Sequence, residues 1–449
     1  MSDTPHIVLR PRKIRDSIKA LPFSKEMIRF PGGSNFIDSY REKAWKEYDD
    51  MPIPTTLDEA WRRTDIKGLH IENLQPPAEN IQNLLSIPSE LLQPPEYGLQ
   101  DGQVLMAGTN SQSKLDQAIA SQGVIFTDLQ TAEREYPKIL EKVMGKVVKP
   151  SEGKFAGLTS ALASNGLLLY VPPGVKISQP LHSLYWGPDL NRTHLTHIMF
   201  YLEEGASATF LHEFASPTEV EGQSFHSGIV EGYVGPSARL KFVELQSWGE
   251  HVWNFTHERV QIDRDGHLDW IIGCVGSKLT KSFIDIDLIN QGSSSKVSGF
   301  YLAHQTQHLD IDTQQNHLAS HTTSNLLFKG ALLGESRVVW QGMIYVAPDA
   351  AKIDGYQTNN NLVLSQNARV DSIPGLEILA DDVKCSHGAT VGNIEQDQLF
   401  YLLSRGIPRG EAEKLIIEGF YNSVMRRIPV KGVRERFERI IDSRVNGVG

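Results

Sequence analysis

The chain has 449 residues, ample for a large core and for two or three domains. A formal net charge of −10 argues against a nucleic-acid binder, which would carry a basic excess, and two cysteines, Cys274 and Cys385, cannot build a disulfide framework and fit a reducing cytosol. No apolar run approaches the ~20 residues that cross a bilayer, and the charged start MSDTPHIVLRPRKIRDSIK lacks a signal-peptide hydrophobic region, so a cytoplasmic protein without membrane or nucleic-acid contacts is expected.

Residues 1–150 read as a helical, irregular N-terminal domain. Phe36, Ile37, Tyr40, Ala44, Trp45 and Tyr48 form a helical apolar stripe between Ser34 and Tyr48. Thr56, with Glu59 three residues on, has the spacing of a capping box for a short helix. The Pro/Asn/Gln-rich tract of about residues 75–100 reads as a linker, and further helices are expected at Gln112–Ala120 and Leu129–Met144. Packing or regulation, rather than catalysis, is the expected role of this region.

Residues 151–392 have a different texture. Short alternating segments such as NGLLLYVPPGV, GPSARLKFVELQ and GHLDWIIGCVG are broken by Gly, Pro, Asn or Ser, and helix-length periodic segments are missing. Switches from polar to apolar begin near Ala206, Ala238, His267 and Ser295, then at about half that spacing near Ser336, Ala351, Ala368 and Asp382, as if one coil held two strands. Rungs with small polar corners fit a parallel β-helix, in which each turn buries its face by stacking on the next. An antiparallel sandwich or barrel is the competing arrangement, although the Asn-Gly and Asp-Gly hairpin signals it favours are few.

Residues 393–449 become helical again, at Gln396–Ser404, Arg409–Ile428 and Val433–Val445. The middle helix carries Ala412, Leu415, Ile416, Phe420, Val424 and Met425 as an apolar stripe. On so small a tail, that stripe must cover either the β-helix end or a partner. The fold class is therefore mainly β, a parallel β-helix core flanked by N-terminal and C-terminal α-helical domains.

Chemistry concentrates near the end of the β region, in PGLEILADDVKCSHGATVG from Pro374 to Gly392. Period-two alternation puts Val383, Cys385 and His387 on one strand face, so a thiol and an imidazole stand side by side, as in half of a soft-metal or iron–sulfur site. Taken alone, Cys-x-His is more often the mark of a buried thiol beside a hydrogen-bonded histidine. The histidines and acids of HLDIDTQQNHLASHTTSN (His308 to Asn325) are read as polar rungs and corners, and Cys274 as core. The phosphate loop GxxxxGK[ST], the GxSxG elbow, the HExxH helix and the CxxC pair are all missing from the sequence, which speaks against an ATPase. A paired-carboxylate enzyme acting on carbohydrate and a metal-free structural adaptor remain the alternatives to an iron–sulfur scaffold.

The stretch Pro374–Gly392, followed by DQLFYLLSRGIP, resembles the C-terminal signature of the SufB/SufD family of iron–sulfur cluster assembly proteins, and the likeness extends more loosely over nearly the whole chain. The Cys-Ser-His-Gly-Ala form is similar to the SufD side of that family. The resemblance implies a right-handed parallel β-helix and a non-enzymatic subunit of a SufBCD complex that pairs with SufB through the β-helix. It implies that the C-terminal helices bind the ATPase SufC, with Leu415, Ile416, Phe420, Val424 and Met425 as the docking stripe. His387 then matches a ligand of iron or of a transient iron–sulfur cluster at the interface with SufB, and Cys385 its neighbour. A homodimer is a candidate state of the chain alone, and reduced flavin is a candidate cofactor of the assembled complex. Gly388 stands where SufB carries a glutamate, and TNNNLVL, with Asn360 or a neighbour, stands where SufB carries its scaffold cysteine.

Overall fold

The computed structural model describes residues 21–31, 34–76, 82–92, 102–187, 190–219 and 221–446. The chain's start, residues 1–20, and half of the expected linker lie outside these. Within the linker two short helical segments, Gln82–Leu85 and Ser89–Leu92, are described, with Ile87 and Leu91 buried against Leu184 and Trp186.

From Asn165 to Gly392 the chain winds a parallel β-solenoid of eight turns, each giving one strand to a ten-stranded sheet and one to a nine-stranded sheet. Within one sheet Ser207, Arg239, His267, Ser294 and Thr323 are successive register partners. The wide early spacing read from the sequence is thus one full turn. The halved later spacing arises where Arg337 and Arg369 of the other sheet alternate with Ile353 and Val383 of the first.

Inward side chains stack along the bore. Phe210 and Phe242 lie ring on ring, with centroids 5.2 Å apart, and Phe242 meets Trp270 at 5.5 Å; Tyr301, Phe328 and Trp340 continue the column. Several inward glycines are floors for rings of a neighbouring turn. A methyl group on Gly299 would collide with the Phe328 ring, and one on Gly330 with Tyr301. Gly299→Ala should therefore cost about 1–3 kcal/mol through overpacking, read as a lowered denaturant midpoint.

The flanking helices cover the outer walls. The N-terminal region lays Trp61 and Phe155 on Phe225, Trp253 and Phe255 of one sheet, with Phe155 stacked on Phe255 at 4.5 Å. The C-terminal tail lays Ile417, Tyr421, Val424, Met425, Phe437 and Ile441 on Val243, Ile271, Phe300 and Ala331 of the other. Early strands are therefore buried on both faces, as in Thr193–Leu202 and Ser224–Val234, whereas later ones alternate, as in His308–His317.

Several local expectations are corrected. Gln112–Ala120 is not one helix: Asn110–Lys114 is a strand, and only Gln117–Ala120 is helical, capped by Asp116. The segment 129–144 breaks at Pro137 into Leu129–Glu135 and Pro137–Val143, because proline cannot extend the preceding helix. The turn before Glu59 is held by the Asp58 carboxylate, which accepts from the Thr55 backbone and hydroxyl, rather than by Thr56. The N-terminal region also supplies strands. Gln103–Ala107 joins the ten-stranded sheet parallel to Leu181–Trp186, Asn110–Lys114 closes that sheet antiparallel, and Ile125–Asp128 closes the other.

At the far end the last two strands, Arg369–Ile378 and Val383–Gly392, are each paired along one edge only and are half-buried to exposed. Pro374, which has no N–H to donate, fits an edge strand. Here the solenoid stops without a cap among the described residues.

Candidate functional site

This open end carries the Cys-x-His pair. In the last strand Cys385 pairs in register with Gly355, His387 with Gln357, Ala389 with Asn359 and Val391 with Asn361. Gln357, Asn359 and Asn361 are buried in the bore, while Asp354 and Tyr356 are exposed outside. The parity of the strand therefore turns Cys385 and His387 to the bore side together, as period two requires. No further turn covers them, so His387 is exposed and Cys385 half-buried.

An amide network lies beneath. Gln357 donates 3.0 Å bonds to the carbonyls of Gly342 and Gly375, tying the two sheets together. Asn359 donates to the Tyr301 hydroxyl at 3.0 Å and accepts from Ser372 at 2.7 Å, and Asn361 donates to Asn359 at 2.6 Å. Asn360 points the other way, where it accepts from the Thr390 hydroxyl at 2.9 Å. The TNNNLVL segment thus fills the bore with neutral amides.

Gly355 leaves a gap that Cys385 shares with a residue sequence reasoning did not attach to it. The sulfur of Cys385 and Nε2 of His317 lie 3.2 and 3.3 Å from the point a Cβ on Gly355 would occupy. His317 is held by the hydroxyls of Thr322 at 2.7 Å and Ser324 at 2.8 Å, and burial lowers its pKa to about 4, so the ring is neutral. Partial burial raises the pKa of the Cys385 thiol, against a backbone bond from Gly355 that lowers it. Among the described residues no group of three or more His, Cys, Asp and Glu side chains is arranged to hold a metal ion.

The other candidates sit elsewhere. Asp310 and Asp312 flank the buried Lys281 ammonium at 3.0 and 2.7 Å, and His308 lies 3.0 Å from the Thr64 hydroxyl. They pin the N-terminal region to the solenoid wall and form no metal cage. His321 occupies a corner at φ 58°. Cys274 is buried in the bore, where desolvation pushes its thiol up to about 12. Of the tail's stripe, Val424 and Met425 are buried against the solenoid wall, Ile416 and Phe420 are half-buried, and Leu415 is 46% exposed. A second exposed apolar group, Phe400, Tyr401 and Leu403 on the first tail helix, was missed because only the middle helix was read for a free face.

Residues 186–420 match the SUF system FeS cluster assembly SufBD core domain, and residues 24–182 match the SufBD protein N-terminal region. The chain belongs to the SufBD family. The iron–sulfur cluster assembly protein SufB of Bacillus subtilis is 27% identical over 439 residues, covering 94% of this chain and 92% of that protein. Iron–sulfur cluster assembly SufBD family proteins of Staphylococcus saprophyticus and Staphylococcus haemolyticus are each 27% identical, over 91% of this chain and 89% of theirs. The two matched SufBD regions meet at the strand Leu181–Trp186, where N-terminal strand Gln103–Ala107 joins the solenoid sheet. Among the described residues no helix is long and apolar enough to cross a membrane.

Proposed function

We propose that this SufBD-family chain is the SufD-type, non-ATPase subunit of an iron–sulfur assembly complex. Its open end pairs with a SufB-type paralogue and its tail docks the ATPase of the system. Iron or a nascent cluster, the cargo of the complex, is held at the paired end by His387, with Cys385 as a bordering or alternative ligand. The single observation that carries this reading is an exposed imidazole beside a thiol on a terminal turn whose outer edges are free, within a family named for cluster assembly. Two donors are half of what a cluster takes, so the remainder must come from across an interface. The Cys-Ser-His-Gly-Ala form, with Gly388 in place of an acid, supports the SufD-type assignment. The exposed side chains of Phe400, Tyr401, Leu403 and Leu415 support a partner on the tail.

His387→Ala tests this in the co-expressed complex. The variant should assemble and unfold like the wild type while its bound iron and acid-labile sulfide fall several-fold. Cys385→Ser should lose less. A His387→Ala complex that carries clusters as fully as the wild type would refute the ligand assignment.

A further inference from the structure

Inside the solenoid, six strands converge on a cavity of about 30 Å³, room for about one water, lined by Phe214, Glu244, Gln246, Thr256, Glu258 and Cys274 among others. Glu244 and Glu258 come from different sheets and are each only 5% exposed. Glu258 accepts from the Thr256 hydroxyl at 2.5 Å through one oxygen. Oε2 of Glu258 and Oε2 of Glu244 are both sealed from solvent and find no donor. No lysine or arginine lines the cavity.

We infer that Glu244 and Glu258 form a proton-sharing acid pair sealed in the bore, so that the solenoid's stability is tied to pH. Two ionised carboxylates facing each other in an apolar interior repel and lose their hydration. Retaining one proton turns the repulsion into a short charge-assisted O–H···O⁻ bond. Burial, followed by the charge of Glu258, raises Glu244 well above the carboxylate range, and burial raises Glu258 to about 7.

The surrounding groups supply no compensating cation. Register places His212 of the neighbouring turn beside Glu244, and burial lowers it to about 3; His226, lowered to about 4, is likewise neutral. The thiol of Cys274, pushed up to about 12, is uncharged. Val230 and Ile284, the register neighbours of Glu258, are apolar. Arg444 of the tail acts on Cys274 and is not part of the cavity lining.

The sign follows from linkage. The folded pKa values lie above the unfolded one, so the stabilisation is full below the ordinary glutamate range and falls as pH rises through about 7, where Glu258 gives up its proton and the pair is left with the one that Glu244 keeps and the two carboxyls share.

The test uses the full chain, its Glu258→Gln variant and the Glu244→Gln/Glu258→Gln double variant. Between about pH 6 and pH 8.5 the wild-type unfolding midpoint should fall by roughly 2 °C more than that of the double variant. Infrared difference spectra of the folded wild type across this range should show loss of a protonated-carboxyl band that Glu258→Gln lacks; this readout stands even if the double variant folds poorly. Parallel midpoint curves together with no such band would overturn the pair. So would a midpoint at alkaline pH that millimolar Mn²⁺ raises in the wild type and not in the single Gln variant, because a cation would then hold the proton's place.

Discussion

Reconstituted anaerobically with iron and sulfide, the isolated chain should hold little or no stable cluster, and adding SufB-type and ATPase partners should restore it. The expectation follows from donor count. A [2Fe–2S] or [4Fe–4S] cluster normally takes four protein ligands, and at the open end only Cys385 and His387 face the same way. His317 lies behind Cys385, already engaged by Thr322 and Ser324. The amides of Gln357, Asn359 and Asn361 fill the positions from which further ligands would have to come. Cys385 must also lose a proton to ligate, and partial burial makes that harder in the free chain. Absorbance and Mössbauer spectra of the reconstituted chain should therefore show a small fraction of the cluster signal of the full complex. A stoichiometric cluster on the chain alone would make it a self-sufficient scaffold, and the proposed division of labour would be abandoned.

Arg436→Ala should destabilise the chain by about 3–5 kcal/mol, the usual cost of stranding one member of a buried ion pair. Arg436, from the third tail helix (Lys431–Asn446), forms an ion pair with Glu213 in the solenoid and donates to the Glu90 carbonyl at 2.9 Å. Glu213 in turn lies 2.9 Å from the His182 ring. Burial works against the charge on Glu213, and the guanidinium and the imidazole outweigh it, holding the carboxyl down at about 2. The stabilisation is therefore present above the ordinary carboxylate range and is lost as pH falls toward 2. Chemical unfolding at neutral pH should show the loss, and Arg436→Met combined with Glu213→Leu should recover much of it. A neutral single variant would mean that water reaches Glu213 and replaces the cation.

The turns of the solenoid were legible because every turn repeats one demand, apolar residues inward and small polar residues at corners. The switches near Ala238, His267 and Ser295 mark strand starts at Arg239, His267 and Ser294. The strands of the N-terminal region were not legible. Gln103–Ala107 and Asn110–Lys114 are five residues each, the second is wholly polar, and the first finds its parallel partner Leu181–Trp186 far along the chain. At the candidate site, the common face of Cys385 and His387 follows from period two. The approach of His317 to Cys385 does not, since it depends on stacked turns and on Gly355 lacking a side chain. Glu258 was passed over for a related reason. Asn254, Thr256 and Glu258 alternate with Phe255 and His257, and a polar alternating face normally looks outward; here it faces the bore, because Phe255 is claimed by Trp61 and Phe155 on the wall.

The two ends of the solenoid also differ in what they permit. At the start both sheets finish in short antiparallel strands, Asn110–Lys114 and Ile125–Asp128, so no parallel edge is offered there. At the finish two ten-residue parallel edges are free. A chain that adds its own free edges to these covers both, and each member then offers only the outer edges of the two short starting strands. Head-to-tail growth, the route from stacked β-turns to fibres, would have to match ten-residue edges to starting strands of five and four residues, whereas joining two finishing ends gives a closed pair. The same coil that leaves an imidazole exposed at this end thus favours a closed pair there over a growing stack.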